Sequence, residues 1–156
     1  GAGHLGIVEF NSSTMYRYAT INVRELERQQ IGEIDRVVRS FAEAFIYSMP
    51  TGSQNPFANR TVPDAVYITI REDQPVNLCG AFEEAINSSN GYSKHSILRL
   101  VEYANKSYQN FVEAPKYALG TGEGLEKLCV AQPMKNNLDL LGSYVRELLH
   151  DTEAVK

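Results

Sequence analysis

A chain of 156 residues and 17.4 kDa has room for one domain, or one large piece of a domain, with a genuine hydrophobic core. Its 15 Lys and Arg against 19 Asp and Glu give a net charge of -4 and a pI near 5.4, which argues against a free-standing nucleic-acid binder, because such domains show a basic patch or stripe even in their totals. No stretch approaches the length of a membrane span, no signal core opens the chain, and Cys79 and Cys129 sit in apolar runs without metal-ligand spacing, so buried reduced thiols and a cytoplasmic home are expected, with no membrane partner.

Gly1 to Gly6 holds three glycines around His4 and Leu5, a flexible entry or half of a hairpin arm; Gly1 to Gly3 reads as a cut from a longer protein. From His4 to Val23 the chain reads as one long, two-faced strand with a bend or bulge at Asn11 to Thr14. Arg17, Ala19, Ile21 and Val23 fall on one face and suit a core. Tyr16, Tyr18, Thr20 and Asn22 fall on the other, which suits either the stacking of bases and sugars or half-burial under a helix with the hydroxyls in water. After Asn22 a short helical turn is expected, with Val23 and Leu26 facing inward.

A strong helix follows, because Ile31, Ile34, Val38, Phe41, Phe45 and Met49 recur at three- and four-residue steps, until Pro50 stops it. Pro50 to Pro63 is a long polar loop. Asp64 to Arg71 alternates as a strand with Val66, Ile68 and Ile70 on one face, and Val76 to Phe82 leads into a helical turn around Phe82 to Ile86. A second long helix is predicted from Ser93 to Val112 on the stripe Ile97, Leu100, Val101, Ala104, Tyr108 and Phe111. A glycine-rich stretch, a brief strand over Leu125 to Ala131 and a last helix over Asn136 to His150 close the chain. This order predicts an α+β fold, a mostly antiparallel sheet covered by helices.

Candidate chemistry is sparse. His4, His95 and His150 have no ligand spacing between them, so no metal and no other cofactor is expected. Gly120 to Gly124, GTGEG, could cradle a phosphate through backbone amides but lacks the lysine and Ser/Thr of a P-loop; it supports the alternative of a small nucleotide-binding domain or enzyme. Glu83 and Glu84 are adjacent and point different ways on a helical turn, and no Ser or Cys sits in a nucleophile elbow. No catalytic residue is assigned, and the chain is not read as an enzyme. The loop residues Ser53, Gln54, Asn55, Asn59 and Arg60 offer donors and acceptors for sugar and phosphate oxygens, or are a plain surface loop.

Three stretches, HLGIVEFNSSTMYRYATIN, YSMPTGSQNPFANRTVPD and QPVNLCGAFEEAI, in this order and spacing, resemble the backbone subunit (CasC-type, CT1975-like) of the type I-E CRISPR surveillance complex, Cascade. The second is similar to that family's P-x-G/A-K-Q loop, although relatives commonly carry lysine where Ser53 stands and can carry a basic residue at the Asn55 position. The resemblance implies that residues 1–156 are a single unit, the C-terminal portion of a subunit about twice as long, with an RRM-like (ferredoxin-like) palm, here partial, and residues 1–8 the remnant of a thumb hairpin. It implies RNA contacts from His4, Leu5, Tyr16, Arg17, Ser53, Gln54, Asn55 and Arg60. The implied partners are the CRISPR guide RNA, target DNA through that guide, further copies of the subunit stacked head-to-tail, and other Cascade subunits.

Overall fold

Alternating apolar residues make strands here and three-to-four-residue apolar steps make helices, in an order that sandwiches a small sheet. The computed structural model describes residues 13 to 49 and 61 to 153. Helix α1 (Val23–Arg28) leads into α2 (Ile34–Tyr47) and, beyond residue 60, strand β1 (Val66–Ile70) precedes a 3-10 turn (Cys79–Phe82) and α3 (Ser93–Asn110). Strand β2 (Tyr117–Thr121), a second 3-10 turn (Leu125–Lys127), β3 (Val130–Ala131) and α4 (Met134–Glu153) complete the order. In the sheet β1-β2-β3, β1 runs antiparallel to β2, with Val66 opposite Thr121 and Ile70 opposite Tyr117, while β3 pairs with β2 in parallel. The α+β class and the mostly antiparallel sheet are as the pattern predicts.

The period of two along β1 sends its side chains to two separate cores. On one face Ile70 packs with Ile34 and Val38 of α2, Leu119 of β2 and Leu141, Val145 and Leu148 of α4, and Ile68 rests against the same cluster. On the other, Tyr67 and Ala65 lie against Leu100, Val101 and Ala104 of α3, Leu78 and Ala81 of the first 3-10 turn, and Leu125. Helices therefore cover both faces of the sheet.

Val23 and Leu26 of α1 reach the first core as expected. Asn22 starts that helix by accepting a hydrogen bond from the Glu25 amide at 3.0 Å, the side-chain cap that satisfies one of the free N–H groups of a first turn. Helix α2 begins at Ile34 rather than Ile31, because Glu33 takes a left-handed conformation (φ 51°) and leaves Ile31 exposed. Phe41, placed inward by its spacing, is exposed and stacks on Phe45 with ring centroids 6.1 Å apart. Helix α3 ends at Asn110, so the stripe stops at Tyr108 and Phe111 stands in solvent.

Three local readings are corrected. The ladder strand is Tyr117–Thr121, and of the stretch Leu125 to Ala131 only Val130–Ala131 pairs as a strand. Gly120 explains why a glycine-bearing run is a strand here: a Cβ on it would collide with the Cys129 sulfur, so the missing side chain lets the two segments approach. The helical turn sits at Cys79–Phe82 instead of Phe82–Ile86, because the Asn77 side-chain Oδ1 accepts from the Cys79 amide at 3.0 Å and fixes the start of the turn. Cys79 is consequently exposed, not buried. Cys129 is half-buried, and burial, then the Glu126 charge, pushes its thiol pKa up; both thiols are free.

The long strand expected over His4 to Val23 is not formed in its described part. Residues 13 to 22 belong to no sheet and no helix, and residues 1–8 and the rest of the first stretch lie outside the described residues. A strand needs a ladder as well as an alternating pattern, and among the described residues none of the backbone hydrogen bonds outside the helices and strands involves residues 13 to 21.

Candidate nucleic-acid interface

The segment of residues 13 to 22 keeps the two-faced alternation that its sequence specifies, and each face finds different company. Tyr16 turns toward the first 3-10 turn: its hydroxyl donates to the Asn77 side-chain Oδ1 at 3.3 Å, and its ring meets Phe82 at a centroid separation of 5.1 Å and a tilt of 44°. Partial burial raises its phenol pKa, so the hydroxyl stays protonated and able to donate. Arg17, one residue on, turns the other way. Its guanidinium carbon lies 4.4 Å from the Phe45 ring centroid, and one terminal nitrogen donates to the Ser48 carbonyl oxygen at 3.2 Å and to the Met49 sulfur at 3.4 Å. Ile21 continues that face into the first core.

These contacts join the three stretches that the sequence analysis singled out. Arg17 is fastened to Ser48 and Met49, the residues immediately before the loop of Ser53 to Arg60, and Tyr16 is fastened to Asn77 and Phe82 of the QPVNLCGAFEEAI stretch. A cation-π contact and a carbonyl hold the Arg17 fork from two directions and leave further N–H donors for an oxygen ligand. Tyr18 is about 40% exposed, and desolvation raises its phenol pKa as well. Of the residues assigned to RNA, Arg17 is thus placed next to the root of the loop and Tyr16 against the first 3-10 turn. His4, Leu5, Ser53, Gln54, Asn55 and Arg60 lie outside the described residues.

A family model described as CT1975-like protein matches residues 1–140. The chain belongs to the CT1975-like family. The CT1975-like chain is similar, at 25% identity and a TM-score of 0.68, to a chain of a "CRISPR RNA-guided surveillance complex", with 82% of this chain and 50% of that one covered. It is likewise similar to a chain of a "CRISPR RNA-guided surveillance complex, pre-nicking", at 25% identity and a TM-score of 0.65, covering 81% of this chain and 35% of that one. It therefore spans half or less of the length of these chains. No curated protein matches it.

The rival features of this CT1975-like chain are not assembled into a site. Gly120 and Thr121 are part of β2, and Gly122, at φ 123°, packs its α-carbon against the backbone of Asp64 and Ala65. Gly124 heads a 3-10 turn of three residues, and Glu123 pairs with Lys94 at 3.2 Å. The run is a strand end and a packed corner, in which a Cβ on Gly122 would meet the Asp64 carbonyl oxygen at 2.7 Å. Glu84 pairs with Arg99 at 3.6 Å, on the surface. Among the described residues no group of three or more His, Cys, Asp or Glu is arranged to hold a metal ion, and no helix is long and apolar enough to cross a membrane.

Sequence reasoning assigned no role to Asn77, Phe82 or Phe45, which position Tyr16 and Arg17. The first two lie inside a stretch already marked as distinctive, so that stretch was the available signal. Phe45 carried none, because at its helical spacing it reads as an ordinary core residue.

Proposed function

We propose that this CT1975-like chain is part of a non-catalytic, RNA-binding backbone subunit of a type I-E surveillance complex, a Cascade. Several copies stack head-to-tail along the guide RNA, on an RRM-like palm, and present it for pairing with target DNA. The observation that carries the reading is the convergence of the three family-resembling stretches on one place, with Arg17 held at the root of the loop that bears Ser53 and Arg60 and with Tyr16 held to the third stretch. Membership of the family and the likeness to chains of RNA-guided complexes support it.

The chemistry follows from what such a subunit must recognise. Backbone contacts from Arg and small polar side chains hold an RNA strand without reading its sequence, and base pairing by the guide then supplies specificity while the protein reads shape. An arginine already stacked and hydrogen-bonded loses little rotamer entropy when a phosphate arrives. Tyr18 offers the less engaged aromatic face for a sugar or base. The acidic total is compatible with this role because the basic contacts of a subunit of about twice this length are shared with the remainder of it. A head-to-tail contact uses two different surfaces and extends into a filament whose length the guide sets.

Replacing Arg17 and Arg60 together by Ala in the complete subunit tests the reading. The double variant is expected to bind guide RNA more weakly and to lose about 1 to 2 units from the slope of log K against log salt, since about 0.7 to 0.9 of a counterion is released per phosphate contact. Unchanged affinity and slope would refute these contacts. A nucleotide-binding reading of Gly120 to Gly124 predicts a rise in melting temperature with ATP, because a ligand of the folded state alone stabilises it; none is expected.

A further inference from the structure

The only Asn-Gly pair in the sequence is Asn90–Gly91, in the polar loop that precedes α3. The loop is pinned at both ends. Before it, the Arg99 guanidinium donates to the Glu84 carbonyl oxygen at 2.7 Å; after it, the Tyr92 carbonyl oxygen accepts from the Ser96 amide at 2.9 Å and the Ser96 hydroxyl at 2.8 Å. Between these anchors the one hydrogen bond among the described residues runs from the Asn90 amide to the Ser88 hydroxyl, at 3.2 Å. Backbone held by so few bonds opens locally at little cost and without disturbing the core.

Asn90 and Gly91 are both exposed, and Gly91 takes a φ of 93°, which glycine adopts freely. A Cβ built on Gly91 would meet no atom within 4 Å, so its amide nitrogen is uncrowded. Neither the Asn90 carboxamide nor the Gly91 amide is hydrogen-bonded to a described residue. The other described asparagines are held. The Oδ1 atoms of Asn22 and Asn77 accept from backbone amides, and the side-chain nitrogens of Asn110 and Asn137 donate to backbone carbonyl oxygens. Asn105 and Asn136 lie within α3 and α4, where the amide of the next residue belongs to the helix ladder. Asn87 is exposed in the same loop, but Ser88 follows it, and a Cβ then stands beside the nitrogen that would have to attack.

We propose that Asn90 is a modification site, at which the chain deamidates spontaneously through a succinimide. The Gly91 nitrogen attacks the Asn90 Cγ and closes a cyclic imide, while the bond from Cγ to Nδ2 breaks and that nitrogen leaves as ammonia, carrying the Gly91 amide proton. Water then opens the imide. Cleavage at Cγ gives aspartate, and cleavage at the Asn90 backbone carbonyl carbon gives isoaspartate, whose main chain runs through the former side chain. Either product adds a carboxylate to a chain of net charge -4, and isoaspartate also lengthens the backbone between the QPVNLCGAFEEAI stretch and α3 by one methylene. The inference rests on this loop alone and stands whether or not the subunit touches RNA.

Prolonged warming of the complete subunit at neutral pH, free of RNA, tests it. Mass spectrometry with site-resolving fragmentation follows each asparagine, and methyl transfer from S-adenosylmethionine by an isoaspartyl methyltransferase detects isoaspartate. Asn90 is expected to convert ahead of every other described asparagine, Asn87 included, to a mixture of aspartate and isoaspartate. Asn90→Gln, which would have to close a larger ring, should lose the isoaspartate signal at this position. Its melting temperature should match that of the parent, because the side chain it replaces is exposed and bonded to no described residue. An Asn90 that stays intact, or that converts no faster than Asn87, would overturn the proposal. Conversion to aspartate alone would overturn it too, since that is the product of direct hydrolysis without the imide.

Discussion

Asn137→Asp destabilises the fold by about 3 to 5 kcal/mol near neutral pH, the cost of a buried charge left without a partner. Asn137 is fully buried, and its amide nitrogen donates to the Gly120 carbonyl oxygen at 2.7 Å, the Thr121 hydroxyl at 2.9 Å and the Gln132 carbonyl oxygen at 3.2 Å. A carboxylate of the same shape accepts only, and would stand against the Gly120 and Gln132 carbonyl oxygens, neither of which can donate to it. The same geometry fixes the pH dependence. Burial among oxygens raises the folded-state pKa of the introduced carboxyl above its unfolded value, so the folded state holds the proton longer, and stability is retained below the unfolded pKa and lost as pH rises toward the folded one. Chemical denaturation at about pH 4 and about pH 7, with the parent chain alongside, should show the deficit of the variant growing with pH. An equal deficit at both values would mean that the oxygens do not converge on this nitrogen.

Leu125→Ala is the second large effect, about 2 to 5 kcal/mol, as for other fully buried leucines truncated to alanine. Leu125 is wholly inaccessible, in the core between the sheet and α3, and its side chain lies against Gly120, where an added Cβ would come within 3.3 Å of it. At about 2 to 4 °C per kcal/mol for a chain of this size, the melting temperature should fall by roughly 5 to 20 °C in a thermal scan followed by circular dichroism. A fall within a degree or so would show that the corner of Gly120 to Leu125 is not packed. That result would reopen the reading of the glycine run as a ligand-binding loop.

The two variants also mark where the sequence was legible and where it was not. The helices of long period were plain, because Ile34, Val38, Leu138, Leu141, Val145 and Leu148 recur on one stripe and do end up buried. So was β1, from its alternation. What local pattern could not show was the partner of each segment. Gly120 reads as a loop residue until Cys129 is seen filling the place of its side chain, and Asn137 reads as a surface amide until the two strand-end carbonyls arrive beside it. The stretch of residues 13 to 22 is the converse case, since its alternation is that of a strand and its faces pack as a strand's would, but no described neighbour completes the ladder.

The candidate site was legible in the same partial way. Tyr16 and Arg17 stood out by residue type and by family resemblance, and the structure supplies what no pattern holds, namely that they turn to opposite sides and tie the other two stretches to one place. Arg17 gains its orientation from Phe45 and Ser48, residues with no distinguishing feature in the sequence.

The central claim is a scaffold that assembles in several copies on one guide RNA, and native mass spectrometry of the complete subunit co-expressed with a CRISPR-type guide reads it directly, since mass reports bound RNA and copy number together. The account predicts a ladder of masses spaced by one subunit on a single RNA, with the longest species set by the length of the guide. A bare monomer, free of RNA at every guide length, would contradict it.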